Sequence, residues 1–465
     1  MLGTLFRGLK RRGRPALDLD PVASAAIAGA PGDKAEERPG AASAAAGQAD
    51  LNQASSAAEA RGDLAAAEGL LRTWVAEQPD NVAALANLGG LLIRHERWAE
   101  AEQVLAPALQ RFPAALPLLM NIGILYQGSM RLDQAINAFR LALAVDSGYV
   151  AARFQLATAL FLRGEYREGF LLFRARQALG AGGAPSWLAQ IPRWEGEPLQ
   201  GKRLLVWLDW GGLGDEIQFA RFLTLLKQAH PRALICLGCT PASQRLLAGL
   251  PAVDHTFSSS CELAIDYCVP LLDLPCMFGT SVNTIPSPGR YLAANEGDRQ
   301  VWAGRLAGLA GRKVGLCWTS GFWGRSQRSP KSIPLALLAP LREVPGLEFF
   351  SLQKGPALGD IAGAGLPMHD YDAALGDLAD TAALIENLDL VISVDTVVAH
   401  LAGALGKPVI MLLRAESGNF WLLDTERSPW YASMRIVRQS REHEWADVAQ
   451  KTLQLVRDWA RGVSV

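Results

Sequence analysis

The sequence lacks any run of 18 or so uncharged apolar residues, which leaves no candidate for a membrane-spanning helix. It also lacks an excess of positive charge: 45 Lys and Arg stand against 46 Asp and Glu, so the electrostatic footprint of a nucleic-acid-binding protein is missing. Cysteine is scarce. The six cysteines, at 236, 239, 261, 268, 276 and 317, follow no regular framework, which argues against a disulfide-rich fold and for free thiols in a reducing, cytoplasmic compartment. Cys236 and Cys239 make a C-x-x-C, but they lie in "ALICLGCT", which reads as a buried strand and its exit, and no second pair at zinc spacing follows. No metal site is expected from them.

At 465 residues, half of them hydrophobic, the chain is long enough for two or three domains. The N-terminal "MLGTLFRGLKRRGRP" is basic, yet no apolar stretch of signal-peptide length follows, so it reads as a frayed tail capable of at most a peripheral membrane contact. Residues 13 to 50 carry Ala, Gly, Pro and acids with scarcely any large apolar side chain. Such a stretch cannot bury enough surface to offset its ordering entropy, and residues 1–50 are expected to be a disordered tail and linker.

From about residue 51 a helical pattern repeats. Leu88-Gly89, Ala101, Leu105 and Ala108 recur 34 residues later as Ile122-Gly123, Ala135, Phe139 and Ala142, and Ala67 and Leu71 lie one period earlier. Small residues at helix crossings with a large one between them, at this spacing, resemble the tetratricopeptide repeat. A degenerate last unit, "VAARFQLATALFLRGEYREGFLLFRAR", would cap the stack. The expectation for 51–180 is therefore an α-helical solenoid with a concave surface suited to a peptide or protein, or else a helical shoulder for the next domain.

After "RWEGEPLQGK" the grammar changes to apolar strands alternating with helices. Strands are predicted at 203–209, 233–238 and within 263–271, with helices near 215–229 and 241–249; a second set of strands is predicted at 313–318, 347–353, 388–395 and 407–413. Two Rossmann-like domains facing across a cleft, 181–290 and 291–465, account for this order. Ligands bind outside the carboxyl ends of such strands, so three loops carry the most weight.

The first is "WLDWGGLGDEIQFARFLTLL". A dinucleotide fingerprint would need a third glycine where Ile217 stands and an acid about twenty residues on, but no Asp or Glu occurs between Glu216 and Asp254; a Walker loop is missing as well. What remains is a glycine turn, Gly211, Gly212 and Gly214, that brings Asp215 to the start of a helix with Gln218 one turn along. Asp215 is either a favourable helix-dipole residue or a general base aimed into the cleft. The second loop, "CWTSGFWGRSQRSPKSIPLALLAPL", gathers Ser320, Gly321, Arg325, Arg328, Ser329, Lys331 and Ser332 before Pro334 opens an amphipathic helix. Hydroxyls, backbone N–H groups and clustered cations suit phosphate oxygens. In the third, "LDLVISVDTVVAHLAGALGKPVIMLL", a very apolar strand closes on Asp395-Thr396, and His400 lies about one turn into the helix after it.

These blocks, with "FFSLQKG", "LADTAALIENL" and "RSPWYASMRIVRQ", resemble the successive motifs of glycosyltransferases related to bacterial ADP-heptose heptosyltransferases. The chain is more closely similar to bacterial proteins that join tetratricopeptide repeats to such a domain. The resemblance implies a GT-B fold, with the acceptor in the first Rossmann-like half, a nucleotide-sugar in the second, and inverting, metal-independent transfer without a cofactor. It implies Asp215 as general base, Ser320, Arg328, Lys331, Gln353, Lys354, Asp395, Thr396 and His400 on the donor side, and Gly211, Gly212, Gly214 and Gln218 beside the acceptor. Asp370-Tyr371-Asp372 has the D-x-D spacing of a divalent-ion site but reads as a solvated loop. The acceptor class stays open: a protein or peptide held by the repeats, or a lipopolysaccharide or surface polysaccharide. A catalytically inactive repeat adaptor is the third reading.

Overall fold

The computed structural model of the chain describes residues 41–180, 186–259, 263–286, 289–320, 322–323, 327–415, 420–441 and 444–463, with the backbone alone at 41–50, 186, 322–323 and 327–328. The chain divides after Ala181 into a helical unit and an α/β unit, Gly182–Val465. Among the described residues no helix is long and apolar enough to cross a membrane.

The helical unit consists of α1 (Ala41–Ala60), α2 (Leu64–Glu77), α3 (Val82–Arg94), α4 (Trp98–Arg111), α5 (Leu116–Gly128), α6 (Leu132–Val145), α7 (Val150–Arg163) and α8 (Tyr166–Phe173). Helix α1 takes in residues 41–50, which composition had assigned to the disordered tail; their alanines cost little to hold in a helix. Residues 13–40 of that expectation, and the basic N-terminus, lie outside the described residues.

The 34-residue signature is a packing rule. A Cβ at Gly89 would overlap Leu105, and one at Gly123 would overlap Phe139, so each glycine admits the large residue of the next helix. Ala101, Ala135, Ala108 and Ala142 are buried at the same crossings. Polar side chains also tie neighbouring units together: Asn121 Nδ2 donates to the Ala86 carbonyl at 2.7 Å, and Arg94 Nε and Nη2 donate to the two Glu59 carboxylate oxygens at 2.9 Å.

The α/β unit holds two parallel sheets. In the first half, β1 (Arg203–Trp207), α9 (Leu213–Ala229), β2 (Leu234–Gly238), α10 (Gln244–Leu247), β3 (His255–Phe257) and β4 (Tyr267–Pro270) give the sheet order β3-β2-β1-β4. Helices α11 (Leu274–Met277) and α12 (Glu296–Leu306) lead to the second half. There the chain forms β5 (Arg312–Cys317), the hairpin β6 (Phe322–Trp323) with β7 (Gln327–Arg328), β8 (Leu347–Ser351), α13 (Ile361–Ala364), β9 (His369–Asp370), α14 (Leu378–Glu386), β10 (Leu390–Val394), α15 (Val397–Ala404), β11 (Val409–Leu413), β12 (Met434–Arg438) and α16 (Trp445–Ala460). The main sheet runs β12-β11-β10-β5-β8-β9, every pair parallel.

This is the doubly wound order, and the chain reverses direction across the sheet between β5 and β10. Loops leaving those two adjacent strands diverge there and leave a crevice at their carboxyl ends. Strands β10 and β11 are buried at all five positions, as strands covered by helices on both faces must be. Strands β3, β9 and β12 were not read from the sequence; the first two span three and two residues, too short for a period to register. The amphipathic helix expected after Pro334 is a 3-10 helix, Leu335–Glu343, because Pro340 inside it has no N–H to extend an α-helical ladder.

Candidate functional site

The exits of β1, β5 and β10 converge. From β1 the chain passes through Gly211, whose φ of +86° only glycine adopts without strain, into helix α9. Asp215 occupies the third position of that helix, and its Oδ2 accepts the N–H of Gly212 at 2.9 Å. The dipole-and-cap role is thus real. A Cβ on Gly211 would overlap the Asp215 carboxylate, so this glycine is also required for the acid's position. Among the described residues no donor reaches Asp215 Oδ1, which leaves that oxygen for chemistry.

Asp215 and its neighbour Glu216 face opposite ways. Glu216 is buried and accepts the Thr240 N–H at 2.9 Å and the Thr240 hydroxyl at 3.0 Å, which fixes the turn leaving β2. Gln218 is buried as well, with no partner for its Nε2 among the described residues.

On the opposite side, β10 ends at Asp395 and β5 leads into the loop that holds Lys331. The Lys331 ammonium stands 3.1 Å from Asp395 Oδ2, and the Trp421 indole N–H donates to Asp395 Oδ1 at 3.2 Å. His400 Nε2 is 3.8 Å from the same Oδ1. Burial by itself pushes the Asp395 carboxyl up, but the Lys331 charge and His400 outweigh it and hold the group well below the usual carboxylate range. Lys331 and Asp395 therefore form an ion pair at all ordinary pH.

Thr396 caps α15, its hydroxyl accepting the Val398 N–H at 3.3 Å and meeting Ser393 Oγ at 3.0 Å. Its hydroxyl is thus shared between the helix backbone and neighbouring side chains, Cys317 Sγ among them at 3.7 Å. Gln353 is buried behind the site, where its Oε1 accepts the N–H groups of Trp318 and Thr319 at 3.3 and 2.9 Å and so shapes the exit of β5. Lys354 turns away from Lys331 and Asp395: its ammonium binds the Asp372 carboxylate at 2.7 Å and the Leu375 carbonyl at 2.7 Å. Asp372 is thereby committed, and Asp370 Oδ1 accepts its N–H, so the D-x-D serves its own loop. Ser320 is half-buried, with its N–H directed to Ser332 Oγ at 3.4 Å. Gly321, Arg325 and the side chain of Arg328 lie outside the described residues.

The two halves meet at this point. An ideal Cβ on Gly214 would come within 2.8 Å of His400 Cδ2 and 3.1 Å of its Nε2, so α9 lies directly against α15. Burial raises the Asp215 carboxyl above its usual range. The Gly212 N–H, the His400 ring and the Lys331 ammonium pull it back down, while Asp395 adds to the rise. An acid from the first half thus shares one field with an ion pair and an imidazole from the second.

Four residues here were not singled out from the sequence. Trp421 binds Asp395, and Tyr431 Oη lies 3.0 Å from His400 Nδ1. Arg438 donates to the carbonyls of Arg414, Ala415, Trp421 and Leu422, which sets the segment bearing Trp421. Arg221 reaches from α9 to the Trp430 carbonyl at 2.5 Å and stacks over the Tyr431 ring at 4.7 Å. A lone cation inside "IQFARFLTLL" is the one local signal that could have marked it.

Two segments of the chain match known families. Residues 373–456 match the family model for glycosyltransferase family 9 (heptosyltransferase), and residues 58–119 match that of a tetratricopeptide repeat. The chain joins tetratricopeptide repeats to a glycosyltransferase family 9 domain. Protein FlbA of Caulobacter vibrioides is 29% identical over 451 residues, covering 82% of this chain and 74% of that protein. Among solved structures, the glycosyl transferase family 9 protein of Veillonella parvula is 13% identical, covers 57% of this chain and 99% of its own, and has a TM-score of 0.45. The Escherichia coli ADP-heptose lps heptosyltransferase II is 14% identical, with 56% and 98% covered and a TM-score of 0.42. The family match takes in β10, α15 and β12, so Asp395, Thr396, His400, Trp421 and Tyr431 belong to the glycosyltransferase domain.

Proposed function

We propose that the enzyme transfers a sugar from a nucleotide-sugar to an acceptor hydroxyl by a single inverting displacement, with Asp215 as the base. The observation that carries this reading is the meeting of Asp215 with the Lys331, Asp395 and His400 group across the two halves. Asp215 Oδ1 takes the acceptor proton as the hydroxyl oxygen attacks the anomeric carbon, and the nucleoside diphosphate leaves from the opposite face. A carboxyl raised by burial is a stronger base than an exposed one, and its Gly212 hydrogen bond holds it in place.

The leaving diphosphate gains negative charge. Lys331, the Ser320 hydroxyl and the start of α15 are the groups that stabilise it, and oriented donors of this kind are each worth roughly 3 kcal/mol in a transition state. A fixed ammonium at this position does the work a divalent ion would otherwise do, which is the basis for metal-independent transfer. Gln353 and Thr396 act by shaping the loops that bear the contacts, and Lys354 holds the 372–375 segment.

The acceptor proposed is a protein or peptide presented by the repeats, in the cytoplasm, since a solenoid of stacked hairpins is built to display a continuous recognition surface. A surface polysaccharide or lipopolysaccharide acceptor is the rival, supported by the heptosyltransferase family match. Screening nucleotide-sugars by thermal shift, then assaying transfer with wild type and Asp215→Ala, tests the reading. The expected result is one stabilising donor, bound equally by both proteins and turned over by wild type alone. No shift from a broad panel, or full turnover by the variant, would sink it.

A further inference from the structure

His400 has two ring nitrogens with opposite surroundings. Nε2 looks toward the cleft, 3.8 Å from Asp395 and close to Gly214, whereas Nδ1 looks into the core, 3.0 Å from the Tyr431 hydroxyl. Only one nitrogen of a neutral imidazole carries a proton, and the partner of the other decides which. Asp395 is held as a carboxylate by Lys331, so a bare Nε2 lone pair facing it would be repelled and an Nε2–H attracted. Nδ1 then needs a donor.

We propose that Tyr431 is the positioning residue of His400: its hydroxyl donates to Nδ1, so the imidazole presents Nε2–H to the cleft as a donor for the diphosphate of the nucleotide-sugar. The last clause rests on the donor-site reading above; the pairing itself does not.

The surroundings of Tyr431 leave its proton for that bond. The ring is fully buried and lies against Gly403, where an added Cβ would come within 2.6 Å of it. Arg221, itself buried, stacks over the same ring and over Tyr291 at 4.6 Å, and as a cation it can only donate to the phenol oxygens. The Tyr291 hydroxyl donates to the Ile217 carbonyl at 2.8 Å. The Tyr431 hydroxyl also pairs with the side chains of Tyr291 and Arg221. Arg221 donates, and the Tyr291 oxygen already takes an Arg221 N–H at 3.3 Å, so the acceptor assigned to the Tyr431 proton is His400 Nδ1 at 3.0 Å. Burial also raises the phenol well above its usual titration range, so it keeps its proton at working pH.

A consequence is that α9 governs His400 twice. Its first turn supplies Gly214, which lets the ring approach, and two turns on it supplies Arg221, which backs the tyrosine that holds the ring.

The test uses the full chain labelled with ¹⁵N-histidine. Long-range nitrogen–proton correlation reads the tautomer of each of the six histidines, and comparison with His400→Gln assigns the signal. Wild type is expected to show a protonated Nε2 and an accepting Nδ1 at neutral pH. Tyr431→Phe keeps the packed ring and removes only the hydroxyl, so the protein should fold while the tautomer signature becomes mixed. Calorimetric titration with ADP, GDP, UDP and CDP should show about a tenfold loss of affinity in the variant for whichever diphosphate binds wild type, the size of one hydrogen bond. The acceptor KM should stay unchanged. A wild-type His400 protonated on Nδ1, or a variant with the same tautomer and affinity as wild type, would overturn the proposal. If no diphosphate binds wild type but the tautomer depends on Tyr431, the pairing is upheld and the donor-site reading falls separately.

Discussion

Gly214 on α9 and His400 on α15 lie so close that the glycine has no room for a methyl group: the nearest ring atom would be 2.8 Å from it. The φ of Gly214 is not left-handed, so the need is for space alone. Gly214→Ala should drive the imidazole off Asp395 and part the two helices by a few tenths of an ångström. Because small displacements of reacting groups are costly, turnover is expected to fall about tenfold with little loss of stability. Steady-state kinetics beside a melting curve checks this, and unchanged kcat would show that the approach is not functional.

Removing Lys331 leaves Asp395 buried with an uncompensated charge, which typically costs about 3 kcal/mol. Lys331→Met should therefore lower unfolding stability by about that amount, and adding Asp395→Asn should recover most of it. Chemical denaturation of the two proteins measures both. The pH sense comes from the depressed carboxyl: its contribution is complete above the unfolded Asp value, about 3.9, and is lost as pH falls through the lower folded value. Equal stability of wild type and Lys331→Met near neutrality would mean the pair contributes nothing.

With Asp215 as the proposed base, transfer requires it ionised, and its carboxyl is raised by burial, so activity should be lost on acidification at a pH above the ordinary Asp value of about 3.9. The Lys331 ammonium and the His400 ring pull that carboxyl down, whereas Asp395 pushes it up. His400→Gln should accordingly move the acid limb of kcat/KM to higher pH. A limb at or below the ordinary value, or one that moves down in the variant, contradicts the assignment of Asp215 as base.

The sequence exposes the groups at strand exits and hides those that reach them from afar. Asp395 ends an apolar run, Asp215 and His400 lie in the first turns of helices, and Lys331 stands in a cluster of hydroxyls and cations, which are the local patterns that make them readable. Arg221 and Trp430 are bonded across 209 residues, and no local spacing records such a contact. Tyr431 and Trp421 escaped for the same reason, since each owes its role to a partner on α15 or at the end of β10. Gln353, Lys354 and Thr396 were found by their place in a motif, yet their hydrogen bonds turn out to serve the protein's own backbone and neighbouring side chains. The parallel strands were legible where five buried, almost wholly apolar residues ran together, as in β10 and β11, and lost where the strand spans only two or three residues, as in β9 and β3.

Phe139 offers a way to separate the two parts of the chain. It is fully buried, and it occupies the space that Gly123 leaves open on the facing helix. Phe139→Ala should cost about 4 kcal/mol, because the cavity opens at a crossing whose glycine cannot fill it. In a stack where each hairpin is stabilised by its neighbours, that loss reaches the adjoining units and exposes α5 to α7 to local unfolding. Limited proteolysis should then cut preferentially between residues 116 and 163, with the 203–460 region left intact. Hydrolysis of the nucleotide-sugar by water should persist in this variant, since Asp215, Lys331 and Asp395 lie outside the repeats. Transfer to a protein acceptor should collapse, whereas transfer to a free sugar or lipid-linked acceptor should survive. Survival of protein transfer after the repeats have been cleaved would remove the repeats from acceptor capture.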